Sequence, residues 1–236
     1  MKGHIFVAGA TGVIGKPLCK LLVADGWTVT GATRSANKIA DLKSLGVTPA
    51  VVDVFDLAAL SEVVADAAPE VVIHQLTDLP DDNDPMKMAA ARERNNRIRD
   101  EGTRNLISAA VSAGASRFIA QSIAFAYAMG PKPYTETAPI DPIMTGVISL
   151  EDQVLHNGAF TGIVLRYGRL YGPGTWASGP PKDGPLHIDD AADAARRAVT
   201  DGTAGIYNVA EEDGFVSATR AHVELGWKPG FRLKDA

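Results

Sequence analysis

Residues 9–15, with the sequence GATGVIG, constrain the fold of this chain more than any other stretch. They follow a short apolar run, residues 4–8, that predicts a buried strand, and they precede leucines at helical spacing. Glycines at such a junction let the backbone turn sharply and approach a diphosphate, to which the helix amino terminus offers free N–H groups. The pattern predicts a dinucleotide cofactor held by Gly9, Thr11, Gly12, Val13, Ile14 and Gly15.

Alternating strand and helix patterns continue almost to the end of the 236 residues. Further strands are predicted at residues 27–30, 50–52, 71–74, 117–121, 162–166 and 206–209. This alternation predicts one α/β domain, residues 1–236, built as a Rossmann-like doubly wound parallel sheet. Two long loops rich in proline or glycine, residues 129–142 and 172–185, predict substrate walls, and residues 172–236 form a small C-terminal substrate region.

The charge and cysteine content limit the partners. A formal net charge of −5 argues against nucleic acid or an anionic membrane, and no apolar run has the length of a membrane span. Cys19 is the only cysteine, which excludes an internal disulfide and fits a reducing cytoplasm. We therefore expect a cytoplasmic protein that acts on a small molecule, with a homodimer left open.

The end of the second predicted strand indicates which nicotinamide cofactor binds. Sites that prefer NAD place a carboxylate there for the ribose hydroxyls, but residues 31–35 contain no Asp or Glu. Arg34, with Ser35 beside it, can instead bind a 2′-phosphate with two hydrogen bonds. The sequence predicts NADP(H), with NAD(H) as the alternative because arginine can also stack on adenine.

Several segments resemble the extended and atypical short-chain dehydrogenases/reductases, the relatives of NAD-dependent epimerases and dehydratases. They are the glycine loop, LRYGRLYGPG at 165–174, LHIDDAA at 186–192 and LGWKP at 225–229. The resemblance implies an NAD(P)-dependent oxidoreductase or a nucleotide-sugar-epimerase-like enzyme of unknown substrate. It also implies cofactor contacts from Asp53, Val54, Leu76, Thr77, Gln121, Tyr167 and Gly168, although a plainer role for Asp53 is to cap the turn that follows.

The sequence departs from this family where the chemistry is expected. The family uses a Tyr and, four residues later, a Lys that lowers the Tyr pKa, with a Ser or Thr nearby. Ser122 has the place of the hydroxyl residue, but no tyrosine has a lysine four positions on. Counting back from the segment EDQVL at 151–155, the pair would fall at Ile143 and Val147, which are both apolar.

Three interpretations remain open. In the first, an enzyme uses Ser122 with Tyr127 or Tyr134 as the proton donor, and Lys132 or Arg166 lowers the phenol pKa. In the second, the protein is a non-catalytic NADP(H)-binding sensor or regulator. In the third, cofactor-dependent chemistry takes any proton from water or the substrate.

Three other polar features have plainer explanations. His74 ends a buried strand and is expected to be a hydrogen-bonded core histidine. Arg99 lies in a predicted helix, at a position where relatives have Asn, and it can reach a substrate phosphate or carboxylate. For most arginines of this helix, exposure on a solvated face is the plainer explanation. The acidic loop does not have the spacing of a calcium loop, so we expect no metal there; its aspartates are Asp78, Asp81, Asp82 and Asp84.

Overall fold

Seven parallel strands form the main sheet of the computed structural model, which describes residues 2–80, 82 and 84–233. In chain order the strands of the molecule are β1 (His4–Ala8), β2 (Thr28–Thr33), β3 (Thr48–Val51), β4 (Val71–His74), β5 (Arg117–Ile123), β6 (Thr161–Tyr167), β7 (Arg169–Tyr171), β8 (Pro185–His187) and β9 (Gly205–Val209). The main sheet has the order β3-β2-β1-β4-β5-β6-β9, and β7 pairs with β8 separately. The strand order reverses between β1 and β4, where doubly wound sheets bind ligands. The predicted Rossmann-like fold is confirmed.

The helices cover both faces of this sheet. They are α1 (Gly15–Ala24), α2 (Ile39–Ser44), α3 (Leu57–Ala67), α4 (Pro85–Arg97), α5 (Thr103–Ser112), α6 (Thr145–Leu155), α7 (Ile188–Ala198) and α8 (Thr219–Glu224). A π-helical turn, Ile98–Gly102, joins α4 to α5. None of the helices in the described part of the chain is long and apolar enough to cross a membrane.

Strand β1 shows how the two core layers arise. Ile5 and Val7 belong to the layer that contains α1 and α7, whereas Phe6 and Ala8 belong to the layer with α3, α5 and α6. Side chains alternate between the faces of a strand, so a strand covered on both faces must be apolar throughout. This is why a continuous apolar run precedes the glycine loop.

Several strands differ by a few residues from their predicted bounds, and the differences at β2 and before α5 are described here. Strand β2, which the sequence predicts at residues 27–30, continues through residues 31–33, because Gly31 pairs with β1 on one side and with β3 on the other. The helical region before Gly114 is divided into α4 and α5 by the π-helical turn. Both differences place residues at the carboxyl edge of the sheet.

The loop 129–142 packs against the chain after β9, and together they form a small apolar cluster that includes Tyr134 and Val216. Within residues 172–236, β9 joins the main sheet and α7 packs in the same layer as α1.

Candidate functional site

The glycine loop brings bare backbone to the start of α1. Gly9 has a φ of +86°, and a Cβ added there would lie 2.5 Å from the Gln75 carbonyl oxygen. Gly15 likewise has no room for a Cβ beside the Gly9 carbonyl. Ile14 precedes α1 without a side-chain cap, and the first turn contains no acidic residue. The loop is therefore shaped for close approach of an anionic group to free N–H groups.

Thr11, Gly12 and Val13 form the outer part of this loop. The Gly12 N–H donates to the Gly9 carbonyl at 3.1 Å, which closes the turn. Thr11 is half-buried, whereas Val13 is exposed and faces Gly174 of the loop 172–185. The glycine loop and the predicted substrate wall thus lie next to each other.

An apolar pocket opens beside the glycine loop, at the ends of β1, β2 and β3. Arg34, Val54, Leu76 and Thr77, all predicted from the sequence to bind cofactor, are brought together in its wall. The remaining lining residues are Ala8, Ala32, Thr33, Val52, Phe55, Leu60 and Ile98. An apolar pocket with one cation at its rim suits an adenosine moiety.

Arg34 is the cation at that rim. Its side chain is 55% exposed, and its guanidinium lies 4.0 Å from the Asp78 carboxylate, which also accepts a 3.1 Å bond from Arg94. Ser35 is exposed, and its N–H donates to Thr33 Oγ1. Arg34 is thus free to turn toward a ligand in the pocket.

Asp53 has the capping role that the sequence suggested as its plainer function. Its carboxylate accepts a 3.0 Å bond from the Phe55 N–H, and it does not line the apolar pocket. A role in adenine binding stays a prediction.

His74 is a satisfied core histidine. Its Nδ1 accepts from the Leu76 N–H at 3.2 Å, and its Nε2 lies 3.1 Å from Thr103 Oγ1. Burial, with the nearby charge of Arg99, lowers the pKa of His74 to about 4. A neutral ring follows, with the proton on Nε2.

Gln75, which the sequence did not single out, is buried at the end of β4 below the glycine loop. Its Nε2 donates to Tyr167 Oη at 3.2 Å, but its Oε1 has no hydrogen-bond partner within the described residues. Burial raises the pKa of Tyr167, so that the phenol is neutral. Gln121, near the carboxyl end of β5, is half-buried. The Gly168 N–H donates to the Val209 carbonyl.

The orphaned Gln75 oxygen, the glycine loop and the uncapped start of α1 together test whether the site fits a dinucleotide. Each offers what such a cofactor needs: a buried acceptor, space at the backbone and donors for a diphosphate. The residues present therefore fit NAD(P)H, with the diphosphate at residues 9–15 and the adenosine half in the apolar pocket.

A buried polar network occupies the place where catalysis is expected. Ser122 Oγ donates to Glu151 Oε1 at 2.7 Å, and the same carboxylate forms a bidentate ion pair with Arg166. Arg166 Nη1 donates to Tyr127 Oη at 2.9 Å, and that hydroxyl donates to Asn208 Oδ1 at 2.6 Å. Both hydroxyl protons are therefore committed to protein acceptors.

The two candidate tyrosines differ in their surroundings. Burial raises the pKa of Tyr127 although Arg166, the neighbour that the sequence suggested, opposes the shift. The Tyr134 ring stacks on Tyr127 with centroids 4.9 Å apart, and its hydroxyl accepts from the Gly130 N–H. Lys132 pairs with Asp183 instead of with either phenol. A catalytic role for Ser122, Tyr127 or Tyr134 stays a prediction.

The helix that would carry the Tyr/Lys pair offers no substitute at those positions. Ile143 lies just before α6 and is 67% exposed, whereas Val147 lies in its first turn and is 1% exposed. Neither side chain can exchange a proton.

A second groove, of about 670 Å³, lies beyond β7 next to the glycine loop. Tyr171, Trp176, His187 and Arg232 contribute its aromatic and charged lining. The Trp176 indole donates to the Pro80 carbonyl at 3.1 Å, which joins the loop 172–185 to the loop after β4. The groove and the glycine loop thus lie side by side, and the hydrogen bond fixes the loop 172–185 to the chain after β4.

The acidic loop is occupied by protein contacts. Asp82 pairs with Lys87, and Asp84 caps α4 through the Met86 and Lys87 N–H groups, while Asp81 lies outside the described residues. No group of three or more potential metal ligands occurs in the part of the chain that the structure describes.

The parallel sheet, the glycine loop at its switch point and the apolar pocket beside it define a dinucleotide-binding α/β protein. A family model described as NAD(P)H-binding matches residues 9–209. A Streptomyces protein named 3-diazoavenalumate denitrifying reductase is 38% identical over 89% of this chain and 76% of its own length. UDP-glucose 4-epimerase of Rhizobium meliloti is 29% identical over 80% of this chain and 60% of its own length.

Among solved structures, UDP-glucose 4-epimerase of Thermotoga maritima superposes with a TM-score of 0.81 at 17% identity, over 96% of this chain and 93% of its own. The chain belongs to this NAD(P)H-binding family, and it shares its fold with the epimerase. The predicted family and the binding of a nicotinamide dinucleotide are thereby confirmed. The cytoplasmic location and the homodimer stay predictions.

Proposed function

We propose that this protein is an NADPH-dependent reductase that removes nitrogen from a diazo-substituted carboxylate. The name of the 38% identical Streptomyces protein describes a reductase that denitrifies a diazo compound. The choice of NADPH is supported by Arg34 at the rim of the adenosine pocket and by the absence of Asp and Glu from residues 31–35.

The observation that carries the proposal is the absence of a proton donor where this superfamily has one. Ile143 and Val147 replace the Tyr/Lys pair, and the hydroxyl protons of Ser122 and Tyr127 are donated to Glu151 and Asn208. Reduction of a carbonyl consumes a proton at the oxygen, which these positions are poorly arranged to supply.

A diazonium group needs no such proton. NADPH supplies a hydride when bound. Transfer of that hydride to the substrate would form a C–H bond at the carbon that carries the diazonium group. The carbon–nitrogen bond would break, and N₂ would leave. The hydride cancels the positive charge of the diazonium, so no proton is taken up or released. The residues of this chain then have to position the substrate and exclude water, for which the contact between Trp176 and Pro80 is suited.

The test compares acceptors in a single assay. Protein and NADPH are mixed with carboxybenzenediazonium or with carboxybenzaldehyde, and nicotinamide absorbance and N₂ are followed against a reaction without protein. We expect one N₂ per NADPH oxidised, at a rate above background, only with the diazonium. Oxidation by the aldehyde alone would refute the proposal and favour the proton-donor interpretation.

Tyr127→Phe separates these two mechanisms within the protein. This substitution removes the Tyr127 hydroxyl group, while the ring keeps its stacking on Tyr134. If Tyr127 supplies a proton, kcat should fall by about 100-fold or more. Under our proposal the rate per folded molecule is unchanged, although the protein is less stable because Asn208 loses its donor.

A binding protein without turnover is the second candidate. The commitment of both hydroxyls to internal hydrogen bonds is compatible with it. Tight NADPH binding without oxidation by the diazonium or by the aldehyde would favour this function over ours.

A further inference from the structure

Arg99 lies in the π-helical turn between α4 and α5, on the side that faces the end of β4. One turn earlier, Asn95 bonds the backbone N–H and carbonyl of Asp78 in the loop after β4. One turn later, Thr103 contacts His74, the last residue of β4. Arg99 is therefore carried at the carboxyl edge of the sheet, where doubly wound sheets bind their ligands. π-helical turns occur frequently at functional sites.

The Arg99 guanidinium makes no hydrogen bond or ion pair within residues 2–80, 82 and 84–233, although the side chain is half-buried. The nearest opposing charge that acts on it is Glu151, but this carboxylate is already paired with Arg166 and accepts from Ser122. A half-buried cation without a partner is unfavourable, and burial lowers the pKa of Arg99 accordingly. The Arg99 guanidinium is therefore a positive charge that no carboxylate of the described residues pairs with.

We propose that Arg99 binds the carboxylate of the substrate. A guanidinium matches a carboxylate with two parallel hydrogen bonds, and one negative charge neutralises the excess. A dianionic phosphate would leave excess negative charge beside Glu151, so a carboxylate is the better ligand. The assignment to a substrate rests on the proposed reductase function, whereas the binding of an anion by Arg99 does not.

The experiment uses the full chain saturated with NADP⁺, and measures binding of benzoate, its neutral isostere benzamide, and inorganic phosphate by calorimetry. Arg99→Gln is compared with Arg99→Lys, which keeps the charge but lacks the two parallel N–H donors of a guanidinium. A second control, Arg92→Gln, removes an exposed arginine of α4. NADP⁺ titration and thermal melting of each variant show that the fold and the cofactor site are intact.

We expect benzoate to bind and benzamide to bind far more weakly. Arg99→Gln should weaken benzoate binding about 10- to 100-fold, with Arg99→Lys between it and wild type and Arg92→Gln unchanged. Equal benzoate affinity in Arg99→Gln, no saturable benzoate binding to wild type, or tighter Arg99-dependent binding of phosphate would each overturn the proposal. A loss of NADP⁺ affinity alone would reassign Arg99 to the cofactor. Because no turnover is measured, failure of the diazo reaction leaves this result interpretable.

Discussion

Replacing Arg34 with alanine should make the affinities for NADPH and NADH nearly equal, whereas we expect wild type to prefer NADPH. The guanidinium is the cation at the rim of the apolar pocket, and its only close anionic contact in the described residues is the Asp78 carboxylate at 4.0 Å. That distance is at the limit of an ion pair, so a 2′-phosphate can compete for the side chain with little loss.

The size of the effect follows from the exposure of the side chain. Hydrogen bonds to charged groups contribute about 1.5–3 kcal/mol, and the 55% exposure of Arg34 places it near the lower end because water screens the pair. We therefore expect NADPH affinity to fall about 10- to 30-fold in Arg34→Ala, with NADH affinity unchanged.

Asp78→Asn should act in the opposite direction. It removes the carboxylate that competes for Arg34, while Asn95 still holds the main chain of residue 78. The gain in NADPH affinity should be about two- to fivefold, in line with a weak exposed pair.

Fluorescence titration of NADPH and NADH against wild type, both variants and Lys38→Ala measures these changes. Lys38 is an exposed cation one turn beyond Arg34 and serves as the matched loss of charge. An unchanged NADPH/NADH ratio in Arg34→Ala, or an equal loss in Lys38→Ala, would show that no specific contact with the 2′-phosphate exists.

Three further perturbations test the residues that support the structure of the site. Gly9→Ala should abolish NADPH binding and destabilise the protein by about 1–3 kcal/mol, measured by urea denaturation, because the positive φ and the Gln75 carbonyl leave no room for a Cβ. Glu151→Ala should cost about 3–5 kcal/mol in the same assay, since it leaves Arg166 buried and unpaired. The unfolding free energy should fall as pH drops from 6.5 toward 4, because the unfolded chain protonates His74 more readily than the folded chain, whose His74 pKa is about 4. The loss is on the order of 3 kcal/mol, and a slope equal to wild type in His74→Gln would contradict it.

Much of the fold could be predicted because the strands of a sheet covered on both faces are continuous apolar runs. The end of β2 could not, since Gly31 and Thr33 favour turns when considered locally. Their place in the strand depends on pairing with β1 and β3, which lie far away in the sequence.

The site was predictable only where it is local in sequence. The glycine loop and Arg34 follow their strands directly, so pattern and position coincide. The polar network joins Ser122 to Glu151 and Tyr127 to Arg166 across 29 and 39 residues, a separation at which spacing carries no signal. Arg166 itself was a usable signal, since an arginine inside an otherwise apolar buried strand requires a buried acceptor.

Three tyrosines of this protein lack the electrostatics of a relocated proton donor. A relocated donor would need a tyrosine whose pKa is lowered by a nearby cation. Instead, burial raises the pKa of Tyr127 and Tyr167, and burial together with Glu211 raises that of Tyr171 to about 12. Arg166 is the cation best placed to favour a phenolate, but its charge is largely engaged by Glu151. Under the proposed function, the protein has only to hold a dinucleotide and a substrate side by side, because the acceptor takes a hydride and releases N₂.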